Sequence, residues 1–222
     1  MLGEMAALFT PRSNLVARAV ATLVILFLVA AGYAYYALLN SSYNTGVGFF
    51  VEQTIPFSHQ HHVRDDGLDC RYCHDTVEEG PFAGIPATDT CMNCHWQLWT
   101  QAAVLEPLRE SWRTGRPLRW RRVHKLPDYV YFDHSIHIHK GIGCVTCHGR
   151  VDQMPLTYKA HTLYMKWCLD CHRDPSRFIR PRSEVFNLAW EEPPDRVALG
   201  QRLMKEYGVQ TERLTDCVIC HR

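Results

Sequence analysis

The 222-residue chain has no cysteine to spare: all ten lie inside five copies of one short pattern, Cys-x-x-Cys-His. It also has almost no charge imbalance, with 24 Lys and Arg against 23 Asp and Glu and a formal net charge of +1. That leaves no electrostatic footprint for a nucleic-acid partner. Between Ala19 and Leu39 there is no charged residue at all. A stretch apolar on every face is not a solvated surface helix.

The five copies read Cys70-Arg71-Tyr72-Cys73-His74, Cys91-Met92-Asn93-Cys94-His95, Cys144-Val145-Thr146-Cys147-His148, Cys168-Leu169-Asp170-Cys171-His172 and Cys217-Val218-Ile219-Cys220-His221. Disulfide frameworks do not put a histidine after every second cysteine. Zinc sites use two Cys-x-x-Cys pairs per ion, and five is an odd number of pairs. Iron–sulfur clusters need four ligands each and do not require the histidine. The pattern is the attachment site of c-type haem, where two thiols add to the porphyrin vinyl groups and the adjacent imidazole reaches the iron. The expectation is five covalent haems and no disulfide, with His74, His95, His148, His172 and His221 as proximal ligands.

Roughly 35 residues per haem are too few for separate apolar cores. The predicted fold is therefore a mostly α-helical and irregular multihaem cytochrome c, with class III-like haem packing and little sheet. Two propionates per haem, partly offset by the ferric irons, would make the loaded protein acidic.

Ala19–Leu39 is long enough to span the ~30 Å hydrocarbon core of a bilayer, whereas a cleaved signal has an apolar stretch of ~7–15 residues. It is expected to be a retained transmembrane anchor. Arg12 and Arg18 precede it, which predicts a cytoplasmic N-terminus (residues 1–18), and Tyr33, Tyr35 and Tyr36 suit an aromatic belt at the far side. The haem domain would then lie outside the cytoplasm, held at the cytoplasmic membrane by one span. Residues 40–48 are polar and read as a flexible linker, leaving 49–222 as the haem domain.

That domain contains a duplication. Phe57-Ser58-His59-x-x-His62 precedes Cys70 with seven residues between, and Phe132-Asp133-His134-x-x-His137 precedes Cys144 with six. Each repeat leads into two motifs, which predicts a module over 49–126, a second over 127–180 and a fifth-haem segment over 181–222. The bridge between modules is expected to be helical from Trp96 to Trp112, ending near Gly115 and Pro117.

An electron-transfer haem needs a sixth ligand, usually His or Met. The repeat makes His59, His62, His134 and His137 the leading distal candidates, since a spacing of three sends two imidazoles from one turn toward neighbouring haems. His124 is a further candidate. Met154 and Met165 are weighed because thioether ligation raises a haem's potential, against the ordinary gap-filling role of methionine. His61, His139 and His161 have no repeat counterpart and read as solvated or supporting residues. The basic run Arg109, Arg113, Arg116, Arg119, Arg121, Arg122 and Lys125 is expected to supply some propionate partners, and Trp112 and Trp120 to pack on porphyrin faces.

Several stretches carry a specific resemblance: Phe57 through His74, Thr90-Cys91-Met92-Asn93-Cys94-His95, Arg122-Val123-His124-Lys125-Leu126-Pro127-Asp128-Tyr129-Val130-Tyr131-Phe132-Asp133-His134, Gly143 through Pro155, and Trp167 through Pro175. Together they resemble the pentahaem cytochrome c subunit of alternative complex III, a membrane quinol:acceptor oxidoreductase. The resemblance implies an electron-relay subunit with no catalysis of its own. It implies as partners a large iron–sulfur subunit with a molybdopterin-enzyme-like fold, polytopic quinol-binding membrane subunits, and a monohaem cytochrome c or soluble carrier. Other classes are a small membrane-anchored multihaem quinol dehydrogenase, a reaction-centre cytochrome, and a multihaem reductase, which needs a haem with an open sixth position.

Overall fold

The computed structural model describes residues 11–221. The remainder of the expected cytoplasmic N-terminus, residues 1–10, and Arg222 lie outside the described residues. The chain divides into two compact units, Met1–Gly46 and Val47–Arg222.

In the first unit, helix α1 runs from Pro11 to Asn40. It begins eight residues before the expected span, so Arg12 and Arg18 lie on the helix. Its Arg12–Asn40 stretch has a mean hydropathy of 2.4 and is long and apolar enough to cross a membrane. At ~1.5 Å per residue, 30 residues extend about 45 Å. Polar side chains satisfy carbonyls at its C-terminal end: Asn40 donates to Tyr36, Ser41 to Leu38 and Asn44 to Leu39. The expected flexible linker contains a further helical turn, α2 (Ser42–Thr45), closed by Gly46 at φ 69°.

The second unit has no strand among the described residues, only four isolated bridge pairings such as Val130 with His221. Short helices carry the five motifs: α3 (Cys70–Cys73), α4 (Thr88–His95), α7 (Cys144–His148), α8 (Met165–Arg173) and α10 (Cys217–Cys220). Between them lie α5 (Glu106–Thr114), α6 (His134–His139) and α9 (Arg196–Glu206).

The bridging helix is shorter than expected. It starts at Glu106, with Pro107 in its first turn, and ends at Gly115 in the left-handed conformation. The earlier stretch fails to join it because the chain turns back at once after α4. Leu98 N–H bonds the Cys94 carbonyl, Trp99 takes φ 59°, and the Leu98 carbonyl accepts from His95 Nδ1 at 3.3 Å. The turn thus serves the motif histidine at the expense of helix continuity.

The apolar core is divided into small clusters: Ile142, Ile179, Leu203 and Tyr207; Ile55, Met92 and Leu108; and Val77, Ile138 and Val185. Helix α9 lies so close to the turn at Pro175–Arg177 that a Cβ on Gly200 would overlap the Ser176 carbonyl. These small clusters suit a fold in which much of the interior surface is reserved for something other than side chains.

Candidate haem-binding sites

Each cysteine pair is held i,i+3 on one helical turn, which puts both thiols on one face with the histidine directly after it. All ten thiols are unpaired. Burial pushes Cys144 and Cys147 up to about 12 and Cys171 up to about 11.

The histidines are arranged in pairs. An imidazole nitrogen binds a first-row metal at roughly 2.0 Å with the ring centre about 1.1 Å behind it, so two imidazoles on opposite sides of one iron have centres roughly 6 Å apart. His59 and His74 have ring centres 6.4 Å apart and planes 12° from parallel. His62 and His95 are 6.2 Å apart, His134 and His148 6.3 Å, and His137 and His172 6.2 Å. Four motif histidines therefore each face one repeat histidine across a gap of one metal atom. Among the described residues no three His, Cys, Asp or Glu side chains converge as a zinc site would require.

The nitrogen not needed for metal is tied down. His74 Nδ1 bonds the Gly84 carbonyl at 2.8 Å, His134 Nδ1 that of Pro81 at 2.7 Å and His172 Nδ1 that of Leu214 at 2.9 Å. His62 and His137 reach the carbonyls of Ser58 and Asp133, four residues back, at 2.9 and 2.6 Å. His59 Nδ1 meets Thr157 Oγ1 at 2.9 Å. A carbonyl accepts only from N–H, so the bonds to carbonyls place the proton on Nδ1 of His62, His74, His134, His137 and His172 and leave their Nε2 with a free lone pair. Burial favours the neutral form at three of the rings, holding His59 at about 4, His148 at about 3 and His137 below its ordinary value.

The two repeats share this geometry closely. Phe57 stacks on His62 and Phe132 on His137, both at 4.5 Å, and each Phe meets the first histidine of its repeat edge-on. Side chains also cap both turns: Ser58 Oγ accepts from His61 N–H and Asp133 Oδ1 from Ile136 N–H. The extra residue in the first repeat is absorbed by a wide π-helical turn over Gln60–Asp65. The His137 carbonyl accepts from Ile142, five residues on, whereas the His62 carbonyl accepts from Leu68, six residues on.

Other candidates are placed differently. His124 is largely buried, held at about 4 by burial, with Nε2 unpartnered. Its ring lies 4.4 Å from His148 at 80°, too close for an iron between them. His221 has Tyr129 beside it, with ring centres 5.8 Å apart, and Nδ1 directed at the Tyr129 carbonyl at 3.4 Å. Met154 is only 1% exposed, whereas Met165, on α8, is 59% exposed. His61 pairs with Asp66 at 3.5 Å, His161 stacks on Trp167 at 5.5 Å, and the His139 carbonyl accepts from Arg182.

Part of the basic run is already paired. Arg109 bonds Glu106 at 2.7 Å, and Arg113 and Arg116 both engage Glu110. Trp120 packs beside the Ile55 cluster and meets Phe57 edge-on, whereas Trp112 is exposed. Sequence reasoning missed Arg180 and Arg196, both buried and both over the Trp190 ring, at 4.6 and 5.3 Å. It also missed the carbonyl partners of the imidazoles, because a carbonyl has no residue signature.

Residues 130–222 match the family described as cytochrome c7 and related cytochrome c. The chain is also 38% identical, over 171 residues, to the menaquinone reductase multiheme cytochrome c subunit of Nitratidesulfovibrio vulgaris. That match covers 77% of this chain and 68% of the relative. The chain belongs to this family of multihaem c-type cytochromes. Its cofactor is covalently bound haem c, and the paired imidazoles beside thiol pairs fit that group. The mostly helical and irregular architecture with one apolar N-terminal helix is that of a multihaem cytochrome c domain.

Proposed function

We propose that the chain is a pentahaem electron relay, anchored in the cytoplasmic membrane by α1, in a quinone-linked oxidoreductase of the alternative complex III type. The observation that carries this reading is the set of four imidazole pairs at 6.2–6.4 Å. Cys70, Cys73, Cys91, Cys94, Cys144, Cys147, Cys168, Cys171, Cys217 and Cys220 would hold five haems. His74, His95, His148, His172 and His221 would supply the proximal nitrogens, and His59, His62, His134 and His137 the opposite ones. When bound, haem supplies one-electron chemistry between ferrous and ferric iron.

The protein's share of the work is positional. Nδ1 hydrogen bonds to backbone carbonyls fix the orientation and tautomer of His62, His74, His134, His137 and His172, and burial favours the neutral form of His59, His137 and His148. A pair of imidazoles at each of four sites leaves no position for a substrate there, which supports transfer as the work of those four. Quinone chemistry would belong to polytopic membrane partners. Electrons would pass through a large iron–sulfur partner and a monohaem or soluble carrier. The relative's description as part of a menaquinone reductase supports the link to quinone. The same relay serves quinol oxidation in the complex III-type reading, because a row of haems has no intrinsic direction.

The test is to isolate the complex from native membranes through a tag on this chain and add menaquinol anaerobically, then reoxidise the haems with a soluble cytochrome. Co-purification of polytopic and iron–sulfur subunits, with haem reduction only when they are present, is the expected result. Reduction of the isolated chain by quinol at the same rate would move the protein to the small quinol dehydrogenase class.

A further inference from the structure

We infer that the haems lie in a row ordered second, first, third, fourth, fifth by motif, rather than in chain order, with ends at Cys91–His95 and Cys217–His221. This deepens the relay reading and rests on the haem-binding geometry above.

Two links follow from the histidine repeats. His59 and His62 leave one turn and face His74 and His95, so the first and second sites share that turn. Asn93 and Tyr72, each inside a motif, are joined by a 3.1 Å hydrogen bond. His134 and His137 join the third and fourth sites in the same way.

The link between modules is made by the first site of each. Arg71, inside the first motif, lies over Phe186 at 4.7 Å, and the neighbouring Val185 carbonyl accepts from Cys144 N–H at 3.1 Å. Val77, Ile138 and Val185 form one cluster with Cys144 packed on it. The contacts are reciprocal. His134 is tied to Pro81, in the loop after the first motif, whereas His59 is tied to Thr157, in the loop after the third. The second motif turns elsewhere: Cys91 and Met92 pack with Ile55 and Leu108. The two modules therefore meet head to head. The fifth site joins the fourth, because the Leu214 carbonyl that orients His172 lies just ahead of Cys217.

Burial follows the same order. Cys94 and Cys217, in the two end motifs, are exposed, whereas every cysteine of the three middle motifs is partly buried.

The test uses the full-length haem-loaded chain in detergent, fully reduced so that six-coordinate irons are diamagnetic. Through-space proton NMR contacts between assigned haems are expected for the pairs two–one, one–three, three–four and four–five. Contacts between haems two and three, or a missing one–three contact while the other three appear, overturn the order. A Cys91→Ala/Cys94→Ala variant gives a second measurement. Loss of the second haem should alter the oxidised electron paramagnetic resonance signal of one remaining haem only. Alteration of two would place it mid-row and refute the proposal. Failure of quinone-linked electron exchange would sink the relay reading yet leave these contacts unchanged.

Discussion

Met154 offers a sharp separation between ligand and filler. It is 1% exposed, and its carbonyl accepts from Gln60 N–H at 3.1 Å. Its Cε would lie 3.6 Å from a Cβ on Gly149, so the side chain packs under the turn that follows His148. His74, His95, His148 and His172 already face a histidine each. The thioether should therefore act as packing. Met154→Ala removes three heavy atoms, about 2.4 kcal/mol at ~0.8 kcal/mol per buried methylene-sized group. A partly collapsed cavity raises that to roughly 3–4 kcal/mol. With a urea m-value of about 2 kcal/mol/M for a domain of this size, the unfolding midpoint should fall by about 1.5–2 M. Met154→Leu conserves volume and should cost less than about 1.5 kcal/mol. The assay is urea unfolding followed by tryptophan fluorescence, together with the near-infrared spectrum of the oxidised protein. If Met154→Leu loses a sulfur–iron charge-transfer band, or shifts one haem's potential downward, the methionine is a ligand and the packing argument fails.

Intact mass in denaturant should exceed the polypeptide by five haem masses, and a shortfall would remove a motif from the count. Replacing residues 1–46 with a cleavable signal should yield a haemoprotein soluble without detergent, and persistent membrane integration of that form would show a second anchor. His137→Gly should open one site, giving a high-spin oxidised signal and stoichiometric carbon monoxide binding on reduction; an unchanged spectrum would assign that ligand elsewhere. Gly200→Ala should destabilise the domain by about 1–3 kcal/mol, because α9 must move off the Ser176 carbonyl; an unchanged denaturation midpoint would show that the two elements separate freely.

What the sequence made legible follows from periodicity. Phe-x-His-x-x-His carries its own meaning: a spacing of three places both imidazoles on one side of a turn, and the aromatic residue before them packs against both. Haem attachment is legible for the same reason, since the pattern is local and complete within five residues. Helix α5 was harder to bound, because Trp96–Ala102 has helical composition and yields to a local demand of the motif, the Leu98 carbonyl that His95 Nδ1 meets. Its end at Gly115 was local and readable.

The parts that stayed hidden are long-range. His124 looks like any other candidate in the sequence, and only its perpendicular placement 4.4 Å from His148 separates it from the paired rings. The buried arginines over Trp190 had no periodic signal, since Arg180 and Arg196 lie on different segments. A duplicated chain also invites the assumption that its halves join end to end, with the second haem handing on to the third. The reciprocal bonds His134 to Pro81 and His59 to Thr157 argue otherwise. The loop behind the first motif of each repeat bonds the first repeat histidine of the other. A duplication can therefore generate a row of sites without repeating the row's direction, because the shared surface is the one nearest the repeated histidine turn.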